Sequence, residues 1–391
     1  MSPPLRILVV AGEPSGDLHG AALIRALQEQ TTQPIIFRGI GGDAMAAAGV
    51  ELLYHTDQTA VMGVFEILKN ISFFKKMLRR LIAELNSWQP DLILTIDYPG
   101  FNLRLATAAR KKGFHTIHYI SPKVWAWNSR RIPRIARAFN TLLTIFPFET
   151  DCYQNTGLPI VYVGNPLVDR TAETLAETPP RLPWADNTRR LALLPGSRRP
   201  EIERIFPDML RAAAELDATL PDGCTCVVPT PNRTIRDLAE RVAAKTKHRP
   251  ARLHFVDGQT RHVLHQAEAA IVASGTATLE ACLMRCPTLL VYRMHPLTAT
   301  IARLLVHGTK YAGLANIIAQ RCNTGTAPVM PELLQEAFTP KAAANYIKCY
   351  LTDPTERERT LTSYDDVIKA LGPGGVSIRA AAAILTTLTQ P

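Results

Sequence analysis

The chain has 391 residues, of which 47% are hydrophobic and 20% charged, a balance that argues against a disordered chain and predicts two globular domains of ordinary size. Its formal net charge of +10 and its pI of about 9.4 indicate an anionic partner, which leaves nucleic acid, an acidic membrane surface and a phosphorylated substrate open. No stretch reaches the roughly 18 consecutive apolar residues of a membrane-spanning helix, and the N-terminus lacks a secretory pattern, so we expect a cytoplasmic protein.

Short apolar runs rich in Val, Ile and Leu alternate with helical segments in the first part of the chain. They lack polar alternation, which is typical of parallel strands that are covered on both faces. The runs predicted as strands are Arg6–Gly12, Pro34–Ile40, Asp91–Asp97, His115–Ser121, Thr141–Pro147 and Ile160–Gly164. This alternation predicts an α/β domain over residues 1–168.

The turn Gly12–Asp17 joins the first predicted strand to the first predicted helix. A glycine-bearing turn in this position usually binds phosphate, because backbone N–H groups and the helix dipole converge there on an anion. This turn, however, carries the carboxylates of Glu13 and Asp17, which would repel a diphosphate. Its ligand is therefore left open at this point.

The segment Val64–Leu85 is the most amphipathic of the chain. Most of its apolar residues form one broad stripe at 100° per residue, which is an ordinary core face. Other apolar and basic residues fall outside that stripe, a mixture typical of helices that lie on anionic membrane surfaces. These residues are Phe65, Phe73, Met77, Lys69, Lys76 and Arg80. The alternative is a bulky core helix with a few exposed apolar side chains.

Asp97 ends a buried strand and precedes Tyr98-Pro99-Gly100. A carboxylate at the tip of a strand is well placed to take a proton from a hydroxyl. Because an ordinary aspartate has a pKa of about 3.9, this role requires desolvation of the carboxylate or an excellent leaving group. The alternative is an Asx turn or a helix cap.

Two tryptophans follow the next strand. Trp125 and Trp127 lie between Lys123 and the pair Arg130-Arg131, and aromatic rings beside cations can stack on sugars or bases. We expect a wall of the binding cleft here, with a buried tryptophan pair as the alternative.

Residues 169–189 are polar and rich in proline, and we predict a linker there. The strand pattern then resumes over residues 190–340, in the runs Leu191–Gly196, Cys224–Thr230, Leu253–Gly258, Ala270–Gly275 and Pro287–Tyr292. Two doubly wound domains should bind a ligand at the carboxyl ends of their strands, in the cleft between them. Residues 341–391 read as helices that pack back across both domains.

Two strand-to-helix turns of the second domain suit an anion. Ser197, Arg198 and Arg199 precede a predicted helix. Small residues there admit backbone donors, and either Arg198 or Arg199 supplies a bidentate cation. The second turn offers hydroxyls, backbone N–H groups and a carboxylate for ribose, from Ser274, Gly275, Thr276 and Glu280. Together the turns predict a nucleotide-diphosphate site, against the alternative of a solvated helix start and a simple N-cap.

Metal binding is not predicted. The seven cysteines are scattered without a C-x-x-C pair, which is typical of reduced core thiols. His262 and His265 lie three residues apart with no third ligand evident.

Eight motifs occur in order from near residue 6 to about residue 340: AGEPSGD (11–17), VMG (61–63), IDYPGFN (96–102), SPKVWAW (121–127), FPFE (146–149), LLPGSR (193–198), SGTATLE (274–280) and YRMHP (292–296). With them the chain resembles the bacterial lipid-A-disaccharide synthases, inverting glycosyltransferases of family 19 with the GT-B fold.

The resemblance implies transfer of 2,3-diacylglucosamine from its UDP derivative to the 6-hydroxyl of 2,3-diacylglucosamine 1-phosphate. The products would be UDP and a β-1,6-linked tetraacyl disaccharide 1-phosphate, a step in the synthesis of lipopolysaccharide in Gram-negative bacteria. It also implies no metal or other cofactor, no nucleic acid partner, and a peripheral location on the anionic cytoplasmic face of the inner membrane. A homodimer is left open.

Site residues carry over by motif. Asp97 becomes the base for the acceptor hydroxyl, and the UDP cradle consists of Arg198, Ser274, Gly275, Thr276 and Glu280. Asn316 matches the asparagine of a family segment that usually has proline before it, where this chain has Ala315. Gly100 stands at a position that is acidic in some members, and residues 322–330 depart from the family's compact segment.

The acidic turn after the first strand is then expected on the acceptor side. Its Ser15 and Gly16 would allow close approach of the acceptor. Glu13 and Asp17 would bind sugar hydroxyls or orient the partner of Asp97, with Trp127 nearby. A UDP-N-acetylglucosamine 2-epimerase-like enzyme is the nearest alternative, but it needs no membrane-facing helix. A basic nucleic-acid-binding protein gives no reason for Asp97 or Glu280.

Overall fold

The computed structural model describes residues 3–59, 71–295, 309–325 and 327–389. The chain divides into two compact units, each with its own parallel sheet. Unit 1 comprises Met1–Pro166 and Gly374–Pro391, and unit 2 comprises Leu167–Pro373. The predicted α/β architecture with two parallel-sheet domains is confirmed.

Unit 1 contains a seven-stranded sheet in the order β3-β2-β1-β4-β5-β6-β7. Its strands are Leu5–Ala11 (β1), Ile35–Gly41 (β2), Val50–His55 (β3), Leu92–Ile96 (β4), Thr116–Tyr119 (β5), Thr141–Thr144 (β6) and Ile160–Tyr162 (β7). Its helices up to residue 166 are Pro14–Gln30 (α1), Asp43–Ala47 (α2), Ile71–Trp88 (α3), Pro99–Lys111 (α4) and Ile132–Ala138 (α5), with 3-10 turns at Thr56–Gln58, Ser129–Arg131 and Pro147–Tyr153.

Successive residues of β1 alternate between the two faces of this sheet. Ile7 and Val9 pack with apolar residues of α1 on one face, and Leu8 and Val10 pack with residues of α3 and α4 on the other. All four side chains are fully buried. Because both faces are covered, the buried positions of β1 are all apolar, and this explains why runs without polar alternation predicted the strands.

Unit 2 contains a six-stranded sheet in the order β10-β9-β8-β11-β12-β13. Helix α6 (Pro166–Ala176) precedes its strands, which are Arg189–Leu194 (β8), Cys224–Thr230 (β9), Arg252–Asp257 (β10), Ala269–Ala273 (β11), Thr288–Tyr292 (β12) and Glu332–Leu334 (β13). The helices between and after them are Arg199–Thr219 (α7), Arg233–Lys245 (α8), Thr260–Gln266 (α9), Thr276–Leu283 (α10), Leu314–Arg321 (α11), Pro340–Thr352 (α12) and Pro354–Leu371 (α13).

Strands β3 and β13 were not predicted. Both lie at a sheet edge, and only one residue of each strand is buried. An edge strand with one open side need not be uniformly apolar. The apolar-run criterion therefore missed these two, although it found the edge strands β7 and β10.

The segment predicted as a linker belongs structurally to unit 2. Helix α6 extends into it, Leu182 is buried in a core cluster of unit 2, and the Trp184 Nε1 atom donates to Gln266 at 3.1 Å. Leu182 and Trp184 therefore attach this segment to unit 2, although its average composition is that of a linker.

The C-terminal helices divide between the units. Helices α12 and α13 belong to unit 2, whereas Val376–Thr389 (α14) belongs to unit 1 and packs against α1. The stretch Pro354–Leu388 is, by length and composition, the one candidate membrane span among the described residues. Gly372–Gly375 separate it into two helices, and Val376 and Ile384 are fully buried core residues of unit 1.

Helix α3 corrects part of the membrane-surface prediction. Met77 is fully buried in the core cluster with Leu81 and Leu85, and it faces no membrane. Phe73 is half-buried and packs edge-on against Tyr54 of β3, with ring centroids 5.9 Å apart. The buried face of the helix is wider than the predicted stripe because one edge of it covers β3.

Only some of the other residues predicted to face the membrane lie in the part of the chain that the structure describes. Lys76 and Arg80 are exposed, and Arg80 pairs with Glu84 at 3.2 Å. Phe65 and Lys69 lie outside the described residues.

Candidate active site

Asp97 follows β4 directly and occupies an uncommon backbone conformation. Asp97 and Tyr98 have φ angles of +46° and +48°, in the left-handed region that residues other than glycine seldom occupy. The Asp97 N–H donates to the Tyr119 carbonyl at 2.9 Å, and the Asn102 side-chain amide donates to the Asp97 carbonyl at 2.7 Å. Neighbouring groups thus hold a strained turn at the carboxyl edge of the sheet.

The Asp97 carboxyl has the electrostatic surroundings expected of a base. Burial raises its pKa above the ordinary aspartate value, against the opposing effects of a hydrogen bond from the Tyr98 backbone and the positive charge of Lys123. The Asp97 carboxyl therefore has the desolvation that a general base of this type requires.

A cavity of about 230 Å³ opens beside this carboxyl within unit 1. Asp97 and Glu13 contribute its acidic groups, and Lys123, Trp127 and Arg131 also line it. The Trp127 side chain is 51% exposed. Three segments that the sequence singled out separately are thus brought to one cavity at the ends of strands β1, β4 and β5.

The turn after β1 is fitted to the Asp97 turn. The ring of Tyr98 lies against Gly12, where any side chain would collide with it. Burial, together with the nearby Glu13 carboxylate, raises the pKa of Tyr98 to about 12, so this phenol stays protonated at neutral pH. Glu13 and Ser15 are exposed at the start of α1.

Asp17, predicted to bind sugar hydroxyls or to orient the partner of Asp97, is hydrogen-bonded to backbone donors in the structure. It is 7% exposed, and its carboxylate accepts hydrogen bonds from the backbone N–H groups of Gly42 at 2.7 Å, Ala44 at 3.1 Å and Met45 at 3.0 Å. These donors lie at the start of α2, so Asp17 satisfies the free N–H groups of a helix N-terminus. Its role is to join α1 to α2.

Gly16 also has a structural role. It is buried, and a Cβ atom there would lie 3.3 Å from the Cβ of Ala11. The missing side chain lets α1 pack closely on β1, which differs from the predicted approach of a ligand.

A buried carboxyl, Glu149, lies in the wall of the same region and was overlooked as a site residue. Its carboxylate accepts hydrogen bonds from Trp125 Nε1 and from the N–H groups of Ile145 and Phe146, each at 3.1 Å. Ile145 and Phe146 line the cavity. The available signal was an acidic residue among aromatic residues at the end of an apolar run.

In unit 2, the residues predicted to bind the UDP group lie at one edge of the sheet. The turn after β8 carries Ser197 and Arg198, and the turn after the adjacent strand β11 carries Gly275 and Thr276. All four are exposed. The structure thus brings the two predicted anion-binding turns side by side.

The charged and hydroxyl groups of these turns have partners within unit 2. The Arg198 side chain is 74% exposed and contacts Glu201 at 3.2 Å. Ser274 Oγ donates to the Ala312 carbonyl at 3.0 Å. On α10, Glu280 contacts Arg261 at 3.3 Å, a pairing that spacing along the chain does not show.

Asn316, predicted as a UDP ligand, has a side chain that is hydrogen-bonded within the core of unit 2. It is fully buried, and its amide group donates to the Met330 carbonyl at 2.8 Å and to Glu332 at 2.7 Å. Its oxygen accepts from the N–H groups of Val329 at 2.8 Å and Met330 at 3.0 Å. Through these hydrogen bonds the Asn316 side chain orders the segment before β13.

Comparison with known protein families gives a match over almost the whole chain. Residues 7–384 match the model of the family described as lipid-A-disaccharide synthetase. The lipid-A-disaccharide synthase of Geobacter sulfurreducens is 37% identical over 386 residues, which cover 98% of this chain and 97% of that protein.

Solved structures show the same fold at low sequence identity. UDP-GlcNAc 2-epimerase from Neisseria meningitidis, bound to UDP-GlcNAc, has a TM-score of 0.66 at 14% identity and covers 98% of this chain and 100% of its own. The calicheamicin glycosyltransferase CalG4 has a TM-score of 0.59 at 15% identity and covers both chains fully. At such identities the likeness concerns the fold, and the family follows from the sequence match: the chain belongs to the lipid-A-disaccharide synthases, a family of GT-B glycosyltransferases.

Proposed function

We propose that the chain transfers 2,3-diacylglucosamine from UDP-2,3-diacylglucosamine to the 6-hydroxyl of 2,3-diacylglucosamine 1-phosphate. The observation that carries the proposal is Asp97, a desolvated carboxyl with a raised pKa beside a cavity at the carboxyl edge of a parallel sheet. Such a group is suited to accept the proton of a sugar hydroxyl.

The reaction is a single displacement. As Asp97 takes the proton, the acceptor O6 forms a bond to the anomeric carbon of the donor. The bond from that carbon to the β-phosphate oxygen breaks, and its electron pair leaves with UDP. Attack opposite to the leaving group inverts the anomeric configuration, so an α-linked donor gives a β-1,6 linkage.

The leaving diphosphate needs positive charge and hydrogen-bond donors. Arg198 and the backbone N–H groups of the turns after β8 and β11 would supply both, since they are exposed at one edge of unit 2. Glu280 is the candidate for the ribose hydroxyls, with its orientation held by Arg261.

The acceptor head group would bind in the unit 1 cavity. Glu13 would accept hydrogen bonds from sugar hydroxyls, and Trp127 offers an exposed ring for stacking on the sugar. We further propose that the protein works at the cytoplasmic face of the inner membrane, where the exposed Lys76 and Arg80 would meet anionic lipid.

A defined pair of acylated substrates tests the reaction. The purified protein should convert them to UDP and a tetraacyl disaccharide 1-phosphate, identified by mass spectrometry, with the linkage assigned by nuclear magnetic resonance. Turnover of soluble UDP-N-acetylglucosamine without acyl chains would instead support an epimerase-like activity and overturn the proposal.

A further inference from the structure

The cavity in unit 1 receives its charges in a definite order along the sheet. Glu13 follows β1 and Asp97 follows β4, whereas Lys123 and Arg131 come from the segment after β5. These strands are neighbours in the order β1-β4-β5, and adjacent strands lie about 4.8 Å apart. The carboxylates therefore come from the turns after two neighbouring strands, and the cations come from the segment after the third.

Among the residues that the structure describes, neither Lys123 nor Arg131 forms an ion pair with a carboxylate within 4 Å. Arg131 is half-buried, and an unpaired guanidinium that loses solvent is unfavourable unless an anion compensates it. This arrangement favours an anionic ligand beside the two cations.

The fields of both cations extend into the groups around the cavity. The charge of Lys123 lowers the pKa of Asp97 and of Glu149, and the charge of Arg131 lowers the pKa of Tyr153, although burial raises all three overall. The positive potential is therefore present inside the site and is not confined to its rim.

The size of the cavity limits what it can enclose. Its volume of about 230 Å³ is below the roughly 300–1,000 Å³ of pockets that enclose drug-sized ligands. A sugar head group with one phosphate is small enough for this cavity, whereas acyl chains must extend out of it. A diphosphate is disfavoured because Asp97 and Glu13 would repel the second negative group.

We propose that Lys123 and Arg131 bind the anomeric phosphate of the acceptor and thereby point its 6-hydroxyl at Asp97. The anomeric substituent and the 6-hydroxyl project from different ends of the acceptor molecule, which matches a cavity that takes its base and its cations from different segments of the chain. Arg131 offers a planar fork for two phosphate oxygens, and Lys123 adds a point charge. The inference rests on the proposed function and makes these residues determinants of acceptor specificity.

The test compares two acceptors and a set of variants. The acceptors are 2,3-diacylglucosamine 1-phosphate and the same lipid with a methyl group in place of the phosphate. Wild type should favour the phosphate by about 10- to 100-fold in kcat/KM, and Arg131→Gln and Lys123→Gln should each remove most of that preference, mainly through KM. Arg131→Lys should retain more of it than Arg131→Gln.

Controls separate this inference from folding and from the proposed function. Arg130→Gln changes an exposed neighbour that does not line the cavity and should keep the wild-type preference. Binding of soluble glucosamine 1-phosphate, measured by calorimetry against glucosamine, reports on the phosphate site without turnover. It should weaken in Arg131→Gln, while thermal melting checks the fold.

Two outcomes would overturn the inference. One is disaccharide formation from both acceptors at equal kcat/KM, which leaves the proposed function intact. The other is an Arg131→Gln variant that loses the same activity on both acceptors and binds glucosamine 1-phosphate like wild type. A protein that binds glucosamine 1-phosphate through Arg131 yet forms no disaccharide would support the phosphate site and overturn the proposed function.

Discussion

The Glu149 carboxylate accepts a hydrogen bond from Trp125 Nε1 at 3.1 Å, and both side chains are buried in unit 1. Trp125 also packs edge-on against Phe148, with ring centroids 5.3 Å apart. The same carboxylate accepts hydrogen bonds from the N–H groups of Ile145 and Phe146, and these two residues line the cavity. One buried acid therefore fixes both an aromatic cluster and a wall of the candidate site.

Glu149 should give the stability of the protein a characteristic pH dependence. Burial raises its pKa from about 4.5 to about 7, so folding takes up a proton between these two values. The contribution of this group to the free energy of unfolding is highest below about pH 4.5 and falls as the pH rises to about 7. Glu149→Gln cannot ionise, so the stability of wild type relative to this variant should decline across the window by on the order of 3 kcal/mol.

Urea unfolding at a series of pH values measures this difference. Trp125→Phe is the matched control, because it removes the indole donor but keeps the titrating carboxyl and should retain the pH slope. A constant difference between wild type and Glu149→Gln from pH 4 to pH 8 would contradict the assignment.

Asp97 should set the acid limb of the pH–rate profile. The base must be ionised, and its pKa is raised by burial, so kcat should fall at a higher pH than an ordinary aspartate would dictate. Because the charge of Lys123 lowers this pKa, Lys123→Gln should move the limb to still higher pH at saturating acceptor. Single-turnover rates across the acid range measure both positions.

Asp97→Asn is the companion variant. It should fold and bind UDP like wild type, yet lose about 10²- to 10⁴-fold in turnover, and its residual rate should show no acid limb from this group. A near-normal rate would remove Asp97 as the base.

Arg198→Ala should weaken UDP binding about tenfold without a large change in stability. The Arg198 side chain is 74% exposed, so its ion pair with Glu201 should contribute at most about 1 kcal/mol. Calorimetry with UDP gives the dissociation constant, and Arg199→Ala, on a residue paired with Glu203 at 3.5 Å, is the control. Equal UDP affinity in wild type and Arg198→Ala would refute the proposed cradle.

The features predicted successfully depend on short-range patterns. Eleven apolar runs became strands, and the parallel arrangement follows from their uniform composition. The same logic placed Asp97 and Arg198 at strand ends, because the position of a turn residue is local information. The uses of Asp17 and Asn316 depend instead on contacts 25 and 14 residues away, with Gly42 and Met330, which spacing along the chain cannot show.

Asp17→Ala should destabilise unit 1 while sparing acceptor recognition. Three backbone N–H groups lose a charged acceptor, for a loss of roughly 2 to 4 kcal/mol in the free energy of unfolding. At a temperature where the variant is folded, its KM for the acceptor should match wild type. Asp43→Asn, on an exposed side chain at the start of α2, is the control for stability, and an acceptor KM that rises in Asp17→Ala alone would restore Asp17 as a ligand.

Helix α3 allows membrane contact and core packing to be separated by two substitutions in adjacent positions. Met77→Ala leaves a cavity in a fully buried cluster and should lower the free energy of unfolding by about 2 to 5 kcal/mol. Its affinity for anionic vesicles, measured by co-sedimentation while the protein is folded, should be that of wild type, because the side chain never reaches the surface.

Lys76→Ala should behave in the opposite way. The side chain is exposed, so stability should change by less than about 0.5 kcal/mol. One cation near an anionic surface contributes about 1 kcal/mol, which predicts a roughly fivefold weaker affinity for the vesicles. Lys341→Ala, on an exposed lysine of unit 2, is the control. If both lysine variants bind vesicles equally well, α3 does not contact the membrane through Lys76, because a charge at that surface must contribute to the binding free energy.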